Sequence, residues 1–217
     1  MTKDEVRQRI LEVGIVPVVR ASSPQQARMA AEAVCAGGIP IVEITMTVPG
    51  AIEVIAQLFC SIGSDVLIGA GTVLDAETGK ACFDAGAQFL VSPGFDGPTV
   101  ELARQRGKLV MAGALTATEV ITAFRAGSDF VKIFPCGNVG GPSYIKALKA
   151  ALPQIPMVPT GGVNLNNAAD FLRAGSSAIG VGGELIARAA LEAGDAAAIA
   201  ATARQYIDVV REARRAK

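Results

Sequence analysis

Two charged residues stand where strands ought to be apolar. The first is Lys132, in the run Asp129-Phe130-Val131-Lys132-Ile133-Phe134-Pro135. Strand side chains alternate with period two, so Phe130, Lys132 and Phe134 share a face. A lysine between aromatic rings loses hydration, and desolvation favours the neutral amine over the ammonium ion. A neutral amine attacks carbonyl carbon and forms a Schiff base. The structural alternative is a lysine whose head reaches the strand end and meets a carboxylate. The second residue is Glu43, in Val42-Glu43-Ile44-Thr45-Met46-Thr47, where alternation groups Ile41, Glu43 and Thr45. Glutamate is depleted in strands and rarely buried without a partner. It is therefore either an ion-pair partner of Lys132 or Arg20, or a general acid/base held beside the nucleophile.

Composition narrows the chemistry. The chain contains no histidine. Ser-His and Cys-His nucleophile pairs and His-ligated metal sites are thereby excluded. Acid–base work falls to Glu, Asp, Lys, Tyr or water, and a buried carboxylate is the natural candidate. The 20 basic and 20 acidic residues cancel. That balance gives no basis for a nucleic-acid or anionic-membrane partner. The charged start, Met1 to Arg7, has no apolar signal-peptide core, and no run is long enough for a membrane span. Cys35, Cys60, Cys82 and Cys136 lack paired spacing and read as reduced thiols of a cytoplasmic protein.

The elements that must position Lys132 and Glu43 alternate along the whole chain. Residues 2–13 form an amphipathic helix with Val6, Ile10 and Val13 on one side. Strands are expected at 16–20, 39–45, 66–70, 88–92, 108–112, 130–134, 156–159 and 177–181. Helices follow each strand. Ser23-Pro24 opens the first of these as cap and first-turn proline. Thr116-Ala117-Thr118-Glu119 has capping-box spacing, Asn164 is expected to cap the helix that ends at Ala174, and the residues after 181 are expected to be helical to the end. Short, continuously apolar strands suit a parallel sheet covered on both faces. Eight such repeats, within one domain spanning 1–217, predict an α/β fold, a (β/α)₈ TIM barrel with an N-terminal helix. A doubly wound open sheet is the alternative, but the dinucleotide fingerprint is missing after the first strand.

In such a barrel the chemistry sits at the C-terminal strand ends. Those ends carry Arg20, Gly71-Thr72, Ser92-Pro93-Gly94, Pro159-Thr160-Gly161-Gly162 and Gly180-Val181-Gly182-Gly183. Gly161-Gly162 and Gly182-Gly183 each precede a helix start, and exposed backbone N–H groups there suit a phosphate.

Taken together, Val42-Glu43-Ile44-Thr45, Gly69-Ala70-Gly71-Thr72-Val73-Leu74, Phe89-Leu90-Val91-Ser92-Pro93-Gly94, Lys132-Ile133-Phe134-Pro135, Pro159-Thr160-Gly161-Gly162 and Gly180-Val181-Gly182-Gly183 resemble one family across nearly the whole chain. The resemblance is to the class I, Schiff-base aldolases that cleave 2-keto-3-deoxy-6-phosphogluconate (KDPG). It implies a barrel, commonly a homotrimer, with no metal and no organic cofactor, acting on a phosphorylated 2-keto acid and releasing pyruvate. By motif it makes Lys132 the Schiff-base lysine and Glu43 the acid/base. It gives Thr72 the substrate carboxylate, Pro93 and Phe134 the pocket walls, and Gly161 and Gly162 the phosphate. Two departures stand out. Some members carry a substrate-binding arginine where this chain has Thr47, which makes Arg20 the candidate for the missing charge. A serine that donates to phosphate is replaced by Gly183. Thr160 resembles the gluconate type, whereas a valine there resembles the galactonate type. Activity on 4-hydroxy-2-oxoglutarate is a possible side reaction. A phosphosugar isomerase on the same barrel and an inactive barrel scaffold are the competing readings.

Overall fold

The computed structural model describes residues 1–63 and 65–215. Helix α1 (Lys3–Val13) comes first, then eight strands alternate with helices. The order is β1 (Ile15–Val19), α2 (Pro24–Ala36), β2 (Ile41–Thr45), α3 (Ala51–Ser61), β3 (Leu67–Gly71), α4 (Ala76–Asp84), β4 (Phe89–Val91) and α5 (Gly97–Gln105). It continues with β5 (Leu109–Ala114), α6 (Ala117–Arg125), β6 (Phe130–Ile133), a 3₁₀ turn (Cys136–Val139), α7 (Pro142–Ala151), β7 (Met157–Pro159), α8 (Ala168–Arg173), β8 (Ile179–Val181), α9 (Arg188–Ala193) and α10 (Ala196–Arg215).

All strand pairs are parallel, and each strand neighbours its successor in sequence. Strand β1 also pairs with β8, in register Val16↔Gly180. A bridge between Thr160 and Gly180 closes the remaining gap beside β7. The sheet therefore runs round into a barrel, and the open doubly wound alternative is excluded. Every strand residue is buried, as a sheet walled by helices outside and filled by side chains inside requires.

Helix α1 lies against the N-terminal end of β6. Lys3 Nζ meets Asp129 Oδ1 at 2.7 Å, and the Arg7 guanidinium sits 5.7 Å from the centroid of the Phe130 ring. Its capping box, Thr2 with Glu5, satisfies N–H groups that helix geometry leaves unbonded. Ser23 caps α2 ahead of Pro24, and Thr116 with Glu119 forms the expected box on α6.

Three local expectations are corrected. Asn164 does not cap α8. Its Oδ1 accepts from the N–H groups of Asn166 and Asn167, organising a turn that delays the helix to Ala168. The chain after β8 is not one helix, because residues 182–187 form a turn and Gly194, at φ 67°, separates α9 from α10. The expected helical end at 216–217 lies outside the described residues. Strand β5 reaches Ala114, two residues further than expected.

Candidate active site

Lys132 and Glu43 meet inside the barrel. β6 and β2 lie on opposite sides of β3–β5, so both side chains have to point inward to touch. Lys132 Nζ is 3.7 Å from Glu43 Oε1, with the two residues 3% and 2% exposed. Two ions taken out of water at that distance need each other, since neither is affordable alone. The pair is nevertheless incomplete. Glu43 Oε1 has no hydrogen-bond partner among the described residues. A buried carboxylate oxygen left in that state is costly, and such costs are retained where chemistry uses the group. Phe134, just beyond β6, places its ring 5.4 Å from Lys132 Nζ.

Gly71 makes this contact possible. A Cβ built there would fall 1.9 Å from Glu43 Oε1. The carboxylate thus occupies the volume that a side chain on β3 would take. Thr72 follows with φ 58°, a left-handed conformation rare for a β-branched residue, and stands half-buried at the strand end. Pro93 is half-buried at the end of β4. Its carbonyl carbon lies 2.2 Å from where a Gly113 Cβ would be, so β5 is built to let the β4 loop close over it.

Thr47 is exposed and belongs to a hydroxyl relay. Thr45 Oγ1 donates to the Val19 carbonyl at 3.0 Å, and Thr45 Oγ1 and Thr47 Oγ1 are 2.6 Å apart. A hydroxyl has one hydrogen to give. Thr45 spends its hydrogen on Val19, so Thr47 donates to Thr45 and turns only acceptor lone pairs outward.

The glycine-rich ends of β7 and β8 come together as expected. Arg20, Phe134, Thr160, Gly161, Gly162 and Gly183 line a cavity of about 220 Å³, with Gly182 and Glu184 also at its wall. Gly161 and Gly162 have φ of 85° and 79°, and Gly162 packs so closely on Gly137 that a Cβ would sit 2.8 Å from its Cα. Gly137 N donates to Gly161 O, locking this loop to the turn after β6. The Gly182 carbonyl accepts from Leu185 N and Ile186 N, which closes a turn just after β8. Thr160 is 4% exposed, and its hydroxyl lies where a Gly180 Cβ would otherwise be, 2.2 Å away. Arg20 is exposed beyond β1 and forms no ion pair with Glu43. Its Nη1 lies 3.1 Å from a Cβ built on Gly182.

Of the twelve residues singled out from sequence, Lys132 and Glu43 are in contact. Phe134, Thr160, Arg20, Gly161, Gly162, Gly182 and Gly183 gather round one cavity, whereas Thr72, Pro93 and Thr47 stand on other parts of the same rim. Sequence reasoning placed Gly71 and Gly180 at strand ends and Thr45 on the face of Glu43 but assigned none of them a role. Gly69 and Gly71 alternate on a strand adjacent to Glu43, and that pattern was the available signal. Among the described residues, no group of three or more Cys, Asp or Glu side chains is gathered as a metal-ligand set. No described helix is long and apolar enough to cross a membrane.

Comparison with known proteins agrees with this geometry. The family described as "Aldolase: KDPG and KHG aldolase" matches residues 6–202. A 2-dehydro-3-deoxy-phosphogluconate aldolase of Treponema pallidum is 35% identical over 199 residues, covering 91% of this chain and 94% of the relative. A 2-dehydro-3-deoxy-6-phosphogalactonate aldolase of Escherichia coli is 37% identical over 172 residues, covering 79% and 83%. The KDPG aldolase of Legionella pneumophila, solved with pyruvate captured as a covalent carbinolamine, superposes with a TM-score of 0.84 at 27% identity, covering 91% of this chain and 96% of that one. With a buried lysine–glutamate contact inside a (β/α)₈ barrel, and with this family match and these relatives, the chain belongs to the KDPG and KHG aldolase family of carbon–carbon lyases.

Proposed function

We propose that this protein cleaves KDPG to pyruvate and glyceraldehyde 3-phosphate through a Schiff base on Lys132. The observation that carries the reading is the buried 3.7 Å contact between Lys132 Nζ and Glu43 Oε1. Passing one proton from lysine to glutamate turns ammonium and carboxylate into amine and carboxylic acid. That single transfer arms the nucleophile and loads the acid.

The amine attacks the C2 ketone to give a carbinolamine. Glu43, through a water that its unpartnered oxygen can hold, protonates the departing hydroxyl, and water leaves as the iminium forms. Glu43, now a carboxylate, removes the C4 hydroxyl proton. The C3–C4 bond breaks, its electron pair passes into the iminium to form an enamine, and the aldehyde departs. Protonation at C3 and hydrolysis release pyruvate and restore the amine. The covalent route divides one difficult step into easier ones. Thr72 holds the keto-acid carboxylate, Pro93 and Phe134 wall the pocket, and Gly161, Gly162, Gly182 and Gly183 hold the phosphate. Neither a metal nor an organic cofactor has a step in this route.

Thr160 supports the gluconate epimer, because a threonine just before the Gly161-Gly162 pair resembles the gluconate type, where the galactonate type has a valine. The galactonate epimer is a second reading, favoured by the identity to the E. coli relative. Cleavage of 4-hydroxy-2-oxoglutarate is a further reaction of the same reacting end. A homotrimer in the cytoplasm accords with the four free thiols and with Leu74 and Phe95, apolar side chains exposed beyond β3 and β4. The test is pyruvate release from each epimer, coupled to NADH oxidation by lactate dehydrogenase. Wild type should turn over the gluconate form faster, and Lys132→Ala should turn over neither. Near-normal rates from Lys132→Ala would refute the covalent route.

A further inference from the structure

The strand beside Lys132 carries a glycine whose missing side chain is replaced by main chain. Gly113 on β5 stands in register with Lys132 on β6. Register partners in a parallel sheet share a face, so a Cβ at residue 113 would point into the barrel next to the lysine stem. That Cβ would lie 2.2 Å from the Pro93 carbonyl carbon, 2.3 Å from its oxygen and 2.5 Å from Gly94 N. The Pro93–Gly94 peptide, from the segment after β4, therefore fills the space. We propose that Ser92 is a positioning residue for the covalent reaction, holding this peptide as the wall that keeps the Lys132 adduct turned toward Glu43. This rests on the aldolase reading given above.

Ser92 ties the peptide to the sheet. Its own backbone still follows the ladder, with Ser92 N donating to Met111 O at 3.1 Å. Its hydroxyl, on a residue 3% exposed, donates to Gly94 O at 2.6 Å and accepts from Gly113 N at 3.3 Å. One side chain thus joins the far end of the peptide to the strand that faces it. A hydroxyl has one hydrogen to give, and Ser92 has committed it to Gly94. Pro93 and Gly94 make no other hydrogen bond among the described residues. Pro93 is half-buried and Gly94 exposed, so without the hydroxyl the loop would turn its carbonyl to water.

The lysine needs such a wall. Its four-carbon stem is flexible, and a substrate joined to Nζ has to stay within reach of the Glu43 carboxyl for each proton transfer. On one flank Lys132 is bounded by Val158, its buried register partner on β7. The Phe134 ring stands 5.4 Å from Nζ. The flank toward β5 has no side chain, because residue 113 is glycine. A side chain there would be fixed by its own strand, whereas a loop peptide is only as rigid as the bonds that hold it. Loss of the Ser92 hydroxyl would leave the nucleophile in place but let the adduct swing toward β5. That slows proton transfer more than it weakens binding.

The test follows exchange of the pyruvate methyl protons in deuterium oxide by NMR, on the full chain as wild type, Ser92→Ala, Ser92→Cys and Gly113→Ala. Once pyruvate is joined to Lys132 as an iminium, a C3 proton leaves to give the enamine and a deuteron from solvent takes its place. Ser92→Ala should cut exchange at saturating pyruvate about 10- to 100-fold, the effect of a small misplacement of reacting groups. Half-saturating pyruvate should move less than twofold. Ser92→Cys keeps the shape but offers only a weak S–H donor, and its rate should fall near that of Ser92→Ala. Gly113→Ala pushes the peptide out with the hydroxyl intact and should slow exchange to a similar degree, with thermal melts checking that it folds. If it does not fold, the two Ser92 variants decide. Wild-type exchange from Ser92→Ala would make the hydroxyl idle, and wild-type exchange from Ser92→Cys alone would make Ser92 a space-filler; either overturns the proposal. So would a rise in half-saturating pyruvate with the saturated rate unchanged. A wild type that exchanged no protons would refute the aldolase reading itself, whereas a wild type that exchanges, with variants that match it, refutes the role of Ser92 alone.

Discussion

Lys132 and Glu43 share a buried site that neither residue would occupy alone, and the proposed covalent route draws on the cost of that burial. Replacing Glu43 with Gln keeps the shape and removes the proton shuttle. Turnover should fall about 10²- to 10⁴-fold, the usual range for a positioned acid/base, while a steady-state kinetic assay finds KM less affected. Gly71 makes a sharper test of geometry. Gly71→Ala places a methyl group 1.9 Å from the present position of Glu43 Oε1. The carboxylate must move off the lysine, so kcat should drop toward that of Glu43→Gln, with thermal melts checking that the barrel still folds. If Gly71→Ala kept wild-type kcat, the observed carboxylate position would not be the working one. The lysine and glutamate were legible in the sequence because charge inside an apolar strand is conspicuous. Gly71 and Gly180 were not, because a glycine's purpose is the atom it lacks. The volume it leaves is filled by a side chain from another strand, so the one signal lies across strands, in the alternation of Gly69 and Gly71 beside Glu43.

Helices hold the strand ends in place, and their caps show how local rules set element boundaries. On α6 the Glu119 carboxylate accepts from the backbone N–H groups of Thr116 and Leu115, and these bonds hold its pKa below the ordinary value. A depressed carboxylate contributes stability at pH above its unfolded value, near 4.3, and loses it as pH falls through the lower folded value. Urea titrations of wild type and Glu119→Gln should therefore differ at neutral pH and converge in acid. A gap that persisted at the lowest pH would show that the ionised carboxylate is not the stabilising form. The capping boxes were legible because their partners are three residues apart. The delayed start of α8 was not. Asn164 carries a cap-like signature, but its side chain spends its acceptor on a turn one step earlier. The break between α9 and α10 at Gly194 was overlooked because the stretches on either side are alanine-rich and favour helix, although Gly194-Asp195 itself is a stop signal.

At the scale of the whole molecule, eight alternating repeats were enough to predict a barrel, because a parallel sheet of that length with both faces apolar has few other closures. Closure itself depends on contacts far apart in sequence, β1 with β8 and Thr160 with Gly180, which only the folded chain brings together. Packing this tight sorts the thiols. Cys60 is exposed, whereas burial pushes Cys82 to about 11 and Cys136 to about 12. At pH 8 Ellman's reagent should modify one thiol rapidly, a phase lost in Cys60→Ser, and should reach Cys82 and Cys136 only on unfolding. Rapid modification of Cys136 in the native protein would mean that the loop beside Lys132 opens. The central claim is covalent chemistry at Lys132, and trapping tests it most directly. The protein is incubated with pyruvate and borohydride, digested, and its peptides are weighed. A reduced three-carbon adduct on the peptide containing Lys132 is the expected result. A folded protein with no adduct, or an adduct on another lysine, would contradict it.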